Sequence, residues 1–162
     1  MSLSINKLGD PVLRCPSKTA DFQSDELQEI VSKMWETLED VRGLGLAGPQ
    51  IGILKRIFVY DLGEGREVLI NPEIVWQSDE TVEDTEGCLS IPDSEMKVTR
   101  AAKIRIKGLD LEAREREIEA EGLTARVFQH EMDHLNGIMI IDRTSDEERR
   151  EVMKKIIGRD RR

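Results

Sequence analysis

The chain reads as an α+β protein: mostly antiparallel strands around a central helix carrying His-Glu-x-x-His, with an N-terminal helix and a C-terminal helix. Three observations predict this. Apolar residues fall at helical spacing near residues 24–43 and again after residue 122. Between these helical stretches, residues 56–121 are rich in β-formers and in period-2 alternation. Segregated runs of strands and helices suit an α+β layout rather than alternating βαβ units.

Ser24 is the expected N-cap of the first helix, followed by Leu27, Ile30, Val31, Met34, Leu38 and Val41 on one face and an end near Gly43. Strands are expected at RIFVYD (56–61), EVLIN (67–71) and EIVWQ (73–77), with Asn71-Pro72 separating the last two. In AKIRIKGLD (102–110), Ile104 and Ile106 alternate with Lys103, Arg105 and Lys107, the pattern of a strand with one wet face. EREIEAEG reads as a polar strand or hairpin arm. A helix is expected from Leu123 to about Leu135, containing HEMDH. The last helix, about 145–160, is capped by Ser145, with Asp146, Glu147 and Glu148 at its positive end and basic residues toward the other.

With 162 residues and no repeat, linker or low-complexity tract, residues 1–162 are expected to form a single domain. A composition of 38% hydrophobic and 35% charged residues is that of a water-soluble globule, and 4% aromatics makes its core aliphatic. The net charge of -9 argues against sequence-specific or general binding of nucleic acid. No segment is long and apolar enough for a membrane span, and the start lacks the basic and apolar regions of a secretory signal. Cys15 and Cys88 are therefore expected to be thiols or ligands rather than a disulfide, in a cytoplasmic protein.

The two histidines of the chain, His130 and His134, stand four apart on one helix face, where both can reach one ion. Glu131 lies about 100° round the helix, near enough to act on a ligand of that ion without binding it. A third protein ligand would leave a position for water; a fourth would close the site. Ile140 stands where a third histidine of the long metzincin pattern would fall, and Glu147 and Glu148 look like helix-end carboxylates. Cys88 in TEGCLSIP, where Gly87 permits tight backbone geometry beside the thiol, is the better ligand candidate, and Cys15 suits a small buried apolar position. A closed site of Cys15, Cys88, His130 and His134 is the alternative by counting.

Three segments, GLGLAGPQIG (43–52), EGCLS (86–90) and QHEMDHLNG (129–137), closely resemble the three motifs of peptide deformylases, G-φ-G-φ-A-A-x-Q, E-G-C-L-S and Q-H-E-x-D-H-L, with φ apolar. GDPVLR near the start and IDRTS before the last helix also resemble that family, so the likeness spans nearly the whole chain. The resemblance implies that Cys88, His130 and His134 bind one divalent ion, Fe2+ in most members, with Zn2+, Ni2+ or Co2+ able to replace it. Water on that ion would be the nucleophile and Glu131 the general base. The Gln50 amide and the Leu89 N–H would steady the oxyanion. The substrate would be the formyl-methionine terminus of newly made polypeptides, released as formate plus a free amine.

An extended peptide would lie along the backbone at Gly45 and Gly87, with Leu44, Leu123, Arg126 and Val127 around its first side chain. Two positions depart from the family pattern. Gly48 replaces its second alanine, which should keep room and add backbone freedom. Arg126 stands where some members are apolar, and its stem is expected to line the pocket while the guanidinium reaches water. The basic last helix has two readings, packing on the domain with a solvated face or, by resemblance, contact with the ribosome. Two functional alternatives stand beside deformylation: another HExxH amidohydrolase or peptidase, and a non-catalytic Cys2His2 metal-binding domain.

Overall fold

The first helix, α1 (Glu26–Val41), turns Leu27, Val31, Met34 and Leu38 inward, the stripe its sequence predicts. The computed structural model describes residues 1–23 and 25–161; Ser24, the expected cap, and Arg162 lie outside them. Arg42 ends α1 in the left-handed region, at φ 52°. Val41, expected on the inner face, is 39% exposed.

Seven strands follow: β1 (Gly45–Ala47), β2 (Ile57–Tyr60), β3 (Glu67–Gln77), β4 (Thr81–Cys88), β5 (Ile91–Ala101), β6 (Lys103–Leu109) and β7 (Glu115–Glu121). Five form one antiparallel sheet in the order β1-β2-β3-β6-β7, and β4 pairs with β5 as a separate hairpin. Then come α2 (Gly122–Leu135) and α3 (Asp146–Asp160).

Strand β2 is buried on both faces because the sheet is covered on both. Phe58 and Tyr60 point to the cluster with Phe128, Met132 and Leu135 of α2, while Ile57 and Val59 join Val31 and Met34 of α1. The three rings of Phe58, Tyr60 and Phe128 lie 4.8–6.0 Å apart, centroid to centroid. A third cluster sits under the hairpin, where Cys88, Met96 and Val98 meet Ile140, Ile141 and Val152. Thus α2 is held against the sheet on one side and the hairpin borders it on another, so its polar residues face a junction rather than open water.

The structure merges two expected strands. Residues 67–71 and 73–77 belong to one continuous β3, whose pairing steps from Ile70 opposite Leu109 to Glu73 opposite Lys107. The extra residue is absorbed as a bulge at Asn71-Pro72, where the missing proline N–H does the ladder no harm. Asn71 holds φ 52°, a conformation asparagine tolerates, and its side chain accepts from Ala20 N–H (2.8 Å) and donates to Ala20 O (3.2 Å). Ser145 caps α3 as expected, accepting from Glu148 N–H at 3.2 Å, and Val152 buries the helix against the domain. Among the described residues no helix is long and apolar enough to cross a membrane.

Asn71→Ala removes both side-chain bonds and leaves a β-carbon residue in a left-handed position. We expect a loss of about 2 kcal/mol in stability, read as a lower urea midpoint, with the activity of the folded fraction unchanged.

Candidate active site

Helix α2 presents His130 and His134 one turn apart, and the end of β4 brings Cys88 to meet them. The Nε2 atoms of the two histidines are 3.2 Å apart, and Cys88 Sγ is 3.4 Å from His134 Nε2. The three donor atoms all lie within 4.8 Å of one another and form a candidate metal site. Among the described residues, Cys15 is not in that cluster. It is half-buried rather than buried, and its thiol donates to Pro11 O at 3.4 Å.

The donor set fits a cation. His130 Nδ1 is turned to Glu86 Oε1 at 2.9 Å, which leaves Nε2 for an ion. Burial opposes a charge on His130, but bonding to Cys88 and Glu86 and the charge of Glu131 outweigh it and raise its pKa well above the ordinary value. Burial, then the charge of His130, lowers that of His134. One thiol and two imidazoles converging in this way are a donor set that divalent transition ions accept.

Glu131 is buried, and its Oε2 has no hydrogen-bond partner among the described residues. Burial pushes its carboxyl up to about 7, against the opposing charge of His130. Gly45 makes room for it, since a Cβ at that position would stand 2.8 Å from Glu131 Oε1. Gln50, also buried, accepts from Ala47 N–H through Oε1 (3.0 Å), which points its amide nitrogen at Ser90 Oγ (3.2 Å) and Cys88 Sγ (3.9 Å).

A cavity of about 1020 Å³ opens over these groups. Leu44, Gly45, Gln50, Gly87, Leu89, Leu123, Arg126 and Val127 all line it, together with Cys88, His130 and Glu131; His134 lies deeper. Leu44 and Leu123 leave 47% and 57% of their surface in water at its wall. Strand β1 is the edge of the sheet. Leu44 O accepts from Asp61 N–H on one side, and Ala47 N–H turns the other way to Gln50, so alternation aims the N–H and C=O of Gly45 at the open edge.

Three expectations need correction. The Arg126 guanidinium does not reach water: it is buried, donating to Glu86 Oε2 (2.6 Å), Val98 O (2.8 Å) and Val82 O (2.8 Å). Gly48 is not slack, because a Cβ there would lie 2.5 Å from Ile53 O and 2.9 Å from Lys55 O. Gly87 has neither a left-handed φ nor a crowded Cβ position, so no tight backbone explains it.

Sequence reasoning missed the ionic frame behind Cys88, His130 and His134. Glu86 accepts from Arg100 Nε and NH2, both at 2.9 Å, and Arg100 NH1 reaches Asp133 at 2.5 Å. Asp133 in turn accepts from Arg143 at 2.8 and 3.1 Å. A signal was present. Met96, Val98 and Arg100 alternate with Lys97 and Thr99, which puts Arg100 on the buried face of a strand.

Known proteins resemble this chain along nearly its whole length. The sequence profile described as polypeptide deformylase matches residues 2–150. A peptide deformylase of Halothermothrix orenii is 47% identical over 143 residues, covering 87% of this chain and 92% of its own. Among solved structures, a peptide deformylase from Legionella pneumophila superposes with a TM-score of 0.93 at 37% identity, covering 99% of this chain and 96% of that one. One from Ehrlichia chaffeensis in complex with actinonin gives 0.93 at 35% identity, with both chains fully covered.

The buried frame makes stability depend on pH. Burial alone would raise the Glu86 carboxyl, but the bonds and charges of His130 and Arg100 hold it at about 2. Its contribution is therefore complete above about pH 4.5, the ordinary carboxyl value, and is lost as pH falls through about 2. We expect Glu86→Gln to lower the urea midpoint at neutral pH, with the gap to the parent closing below pH 4.

Proposed function

Because the chain belongs to the polypeptide deformylase family, and is thus a hydrolase that removes N-terminal formyl groups, we propose that Cys88, His130 and His134 hold its divalent ion and that Glu131 is its general base. The observation that carries the reading is the pairing of three converging donors with a buried carboxylate whose Oε2 makes no hydrogen bond among the described residues. We take the ion to be Fe2+, with Zn2+, Ni2+ and Co2+ as workable replacements for one thiolate and two imidazoles. A divalent ion held by these three residues would supply a net positive charge, the Lewis acidity that lowers the pKa of water and polarises a carbonyl.

The chain's own residues do the rest. Glu131, raised toward neutrality by burial, accepts the proton from the attacking water and returns it to the departing amine. The Gln50 amide, held from behind by Ala47 N–H, donates to the carbonyl oxygen as charge builds on it, and the Leu89 N–H is the second donor. The outward N–H and C=O of Gly45 pair with the peptide main chain. Leu44, Leu123 and Val127 supply apolar surface for the methionine, beside the stem of Arg126 and the wall at Gly87.

The substrates are formyl-methionine ends of nascent polypeptides, met in the cytoplasm by one domain formed from residues 1–162. Helix α3, whose five basic residues are matched by five acidic ones, serves first as packing: Lys155 donates to Asp93 O, and Arg159 NH1 lies 3.3 Å from Asp93 and 3.4 Å from Pro92 O. Arg149, Arg150 and Lys154 remain exposed, enough for contact with ribosomal phosphates as an additional role.

Glu131→Ala should keep metal content and fold while formate release from formyl-Met-Ala drops by about 10³-fold or more. Loss of the ion in that variant would make Glu131 a ligand and overturn the assignment. Cys15→Ser should leave one ion per chain by elemental analysis; a substoichiometric ion would instead favour a fourth ligand.

A further inference from the structure

Arg126 joins three acceptors that stand on two different strands. Its NH1 donates to Glu86 Oε2 and to Val98 O, and its NH2 donates to Val82 O. Val82 lies on β4 and Val98 on β5, so one guanidinium from α2 grips both strands of the hairpin. The hairpin carries Cys88; the helix carries His130 and His134. Glu86 closes the loop, because its other oxygen fixes His130 Nδ1.

A residue that only bordered the substrate would have its polar end in the cavity or in water. This one is 9% exposed, with its fork used on two main-chain carbonyls and a carboxylate. We infer that Arg126 is a positioning residue that ties the Cys88 hairpin to the histidine helix and so sets how tightly the metal is held. The inference rests on the reading of Cys88, His130 and His134 as the metal ligands. The guanidinium acts at a distance through Glu86 and the strands: it never meets the ion or the reacting atoms. Partners of this kind, one step behind the ligands, typically change metal affinity about 10- to 100-fold when removed.

The test loads the protein with cobalt(II) and follows its thiolate and ligand-field absorption during competition with a chelator. Parent, Arg126→Leu and Arg126→Lys are compared, together with KM and kcat on formyl-Met-Ala. We expect Arg126→Leu to weaken cobalt binding by about 10-fold or more and to alter the absorption bands, with kcat falling more than KM rises. Lysine offers one ammonium in place of a planar fork and cannot serve three acceptors in the same geometry, so Arg126→Lys should fall several-fold short of the parent. Unchanged cobalt affinity and spectrum in Arg126→Leu, with only KM shifted, would make Arg126 a pocket wall and overturn the inference. If Arg126→Leu does not fold, parental cobalt affinity in Arg126→Lys overturns it equally. A parent without a thiolate band would refute the ligand assignment itself, which is a separate result.

Discussion

Glu86 accepts hydrogen bonds from Arg100 on β5 and from Arg126 and His130 on α2, so one carboxylate holds the hairpin to the helix. Buried to 6% exposure, that carboxylate would be costly without its partners, and each partner would be costly without it. The arrangement extends through Arg100 to Asp133 and Arg143, alternating sign at every step. Such a frame adds little net stability compared with apolar packing of equal volume, because desolvation offsets the attraction. Its return is geometric. A directional network fixes the distance between two elements that share no ladder of backbone bonds, and the three donors of the candidate metal site come from both.

Around this frame the packing is ordinary and does the stabilising. The two faces of β2 feed two separate clusters, and Cys88 sits at the margin of a third. Polar function is thus placed where three apolar clusters meet. That junction also explains the raised carboxyl of Glu131: the surroundings that bury it disfavour its charge.

Much of this was legible in the sequence. The helix stripes of α1 and α2, the alternation of β6 and the cap at Ser145 are local patterns, and local chemistry is enough to form them. His130, His134 and Cys88, which the structure brings together, were singled out by the spacing of the two histidines and, for Cys88, by ligand type and the resemblance of its motif. The strand β5 was not read, since an inward-facing arginine breaks the apolar alternation that marks a buried strand. The continuity of β3 was hidden for a related reason: Asn71-Pro72 has the composition of a turn, and only pairing with β6 and the anchor on Ala20 turns it into a bulge. Arg126 shows the same limit. A charged residue reads as solvent-seeking until the acceptors that receive it, contributed by residues 28 to 44 positions away, are in place.

The short edge strand β1 has a consequence for which proteins are processed and when. If the outward groups of Gly45 pair with the substrate as proposed, recognition beyond the first side chain is by main chain, and main chain is common to every polypeptide. Breadth of this kind comes with a condition on shape. An amino end already wound into a helix, or paired within its own sheet, has no extended backbone to lay beside β1. The competition is therefore one of timing: a terminus is accessible while it is unstructured, and its own folding withdraws it.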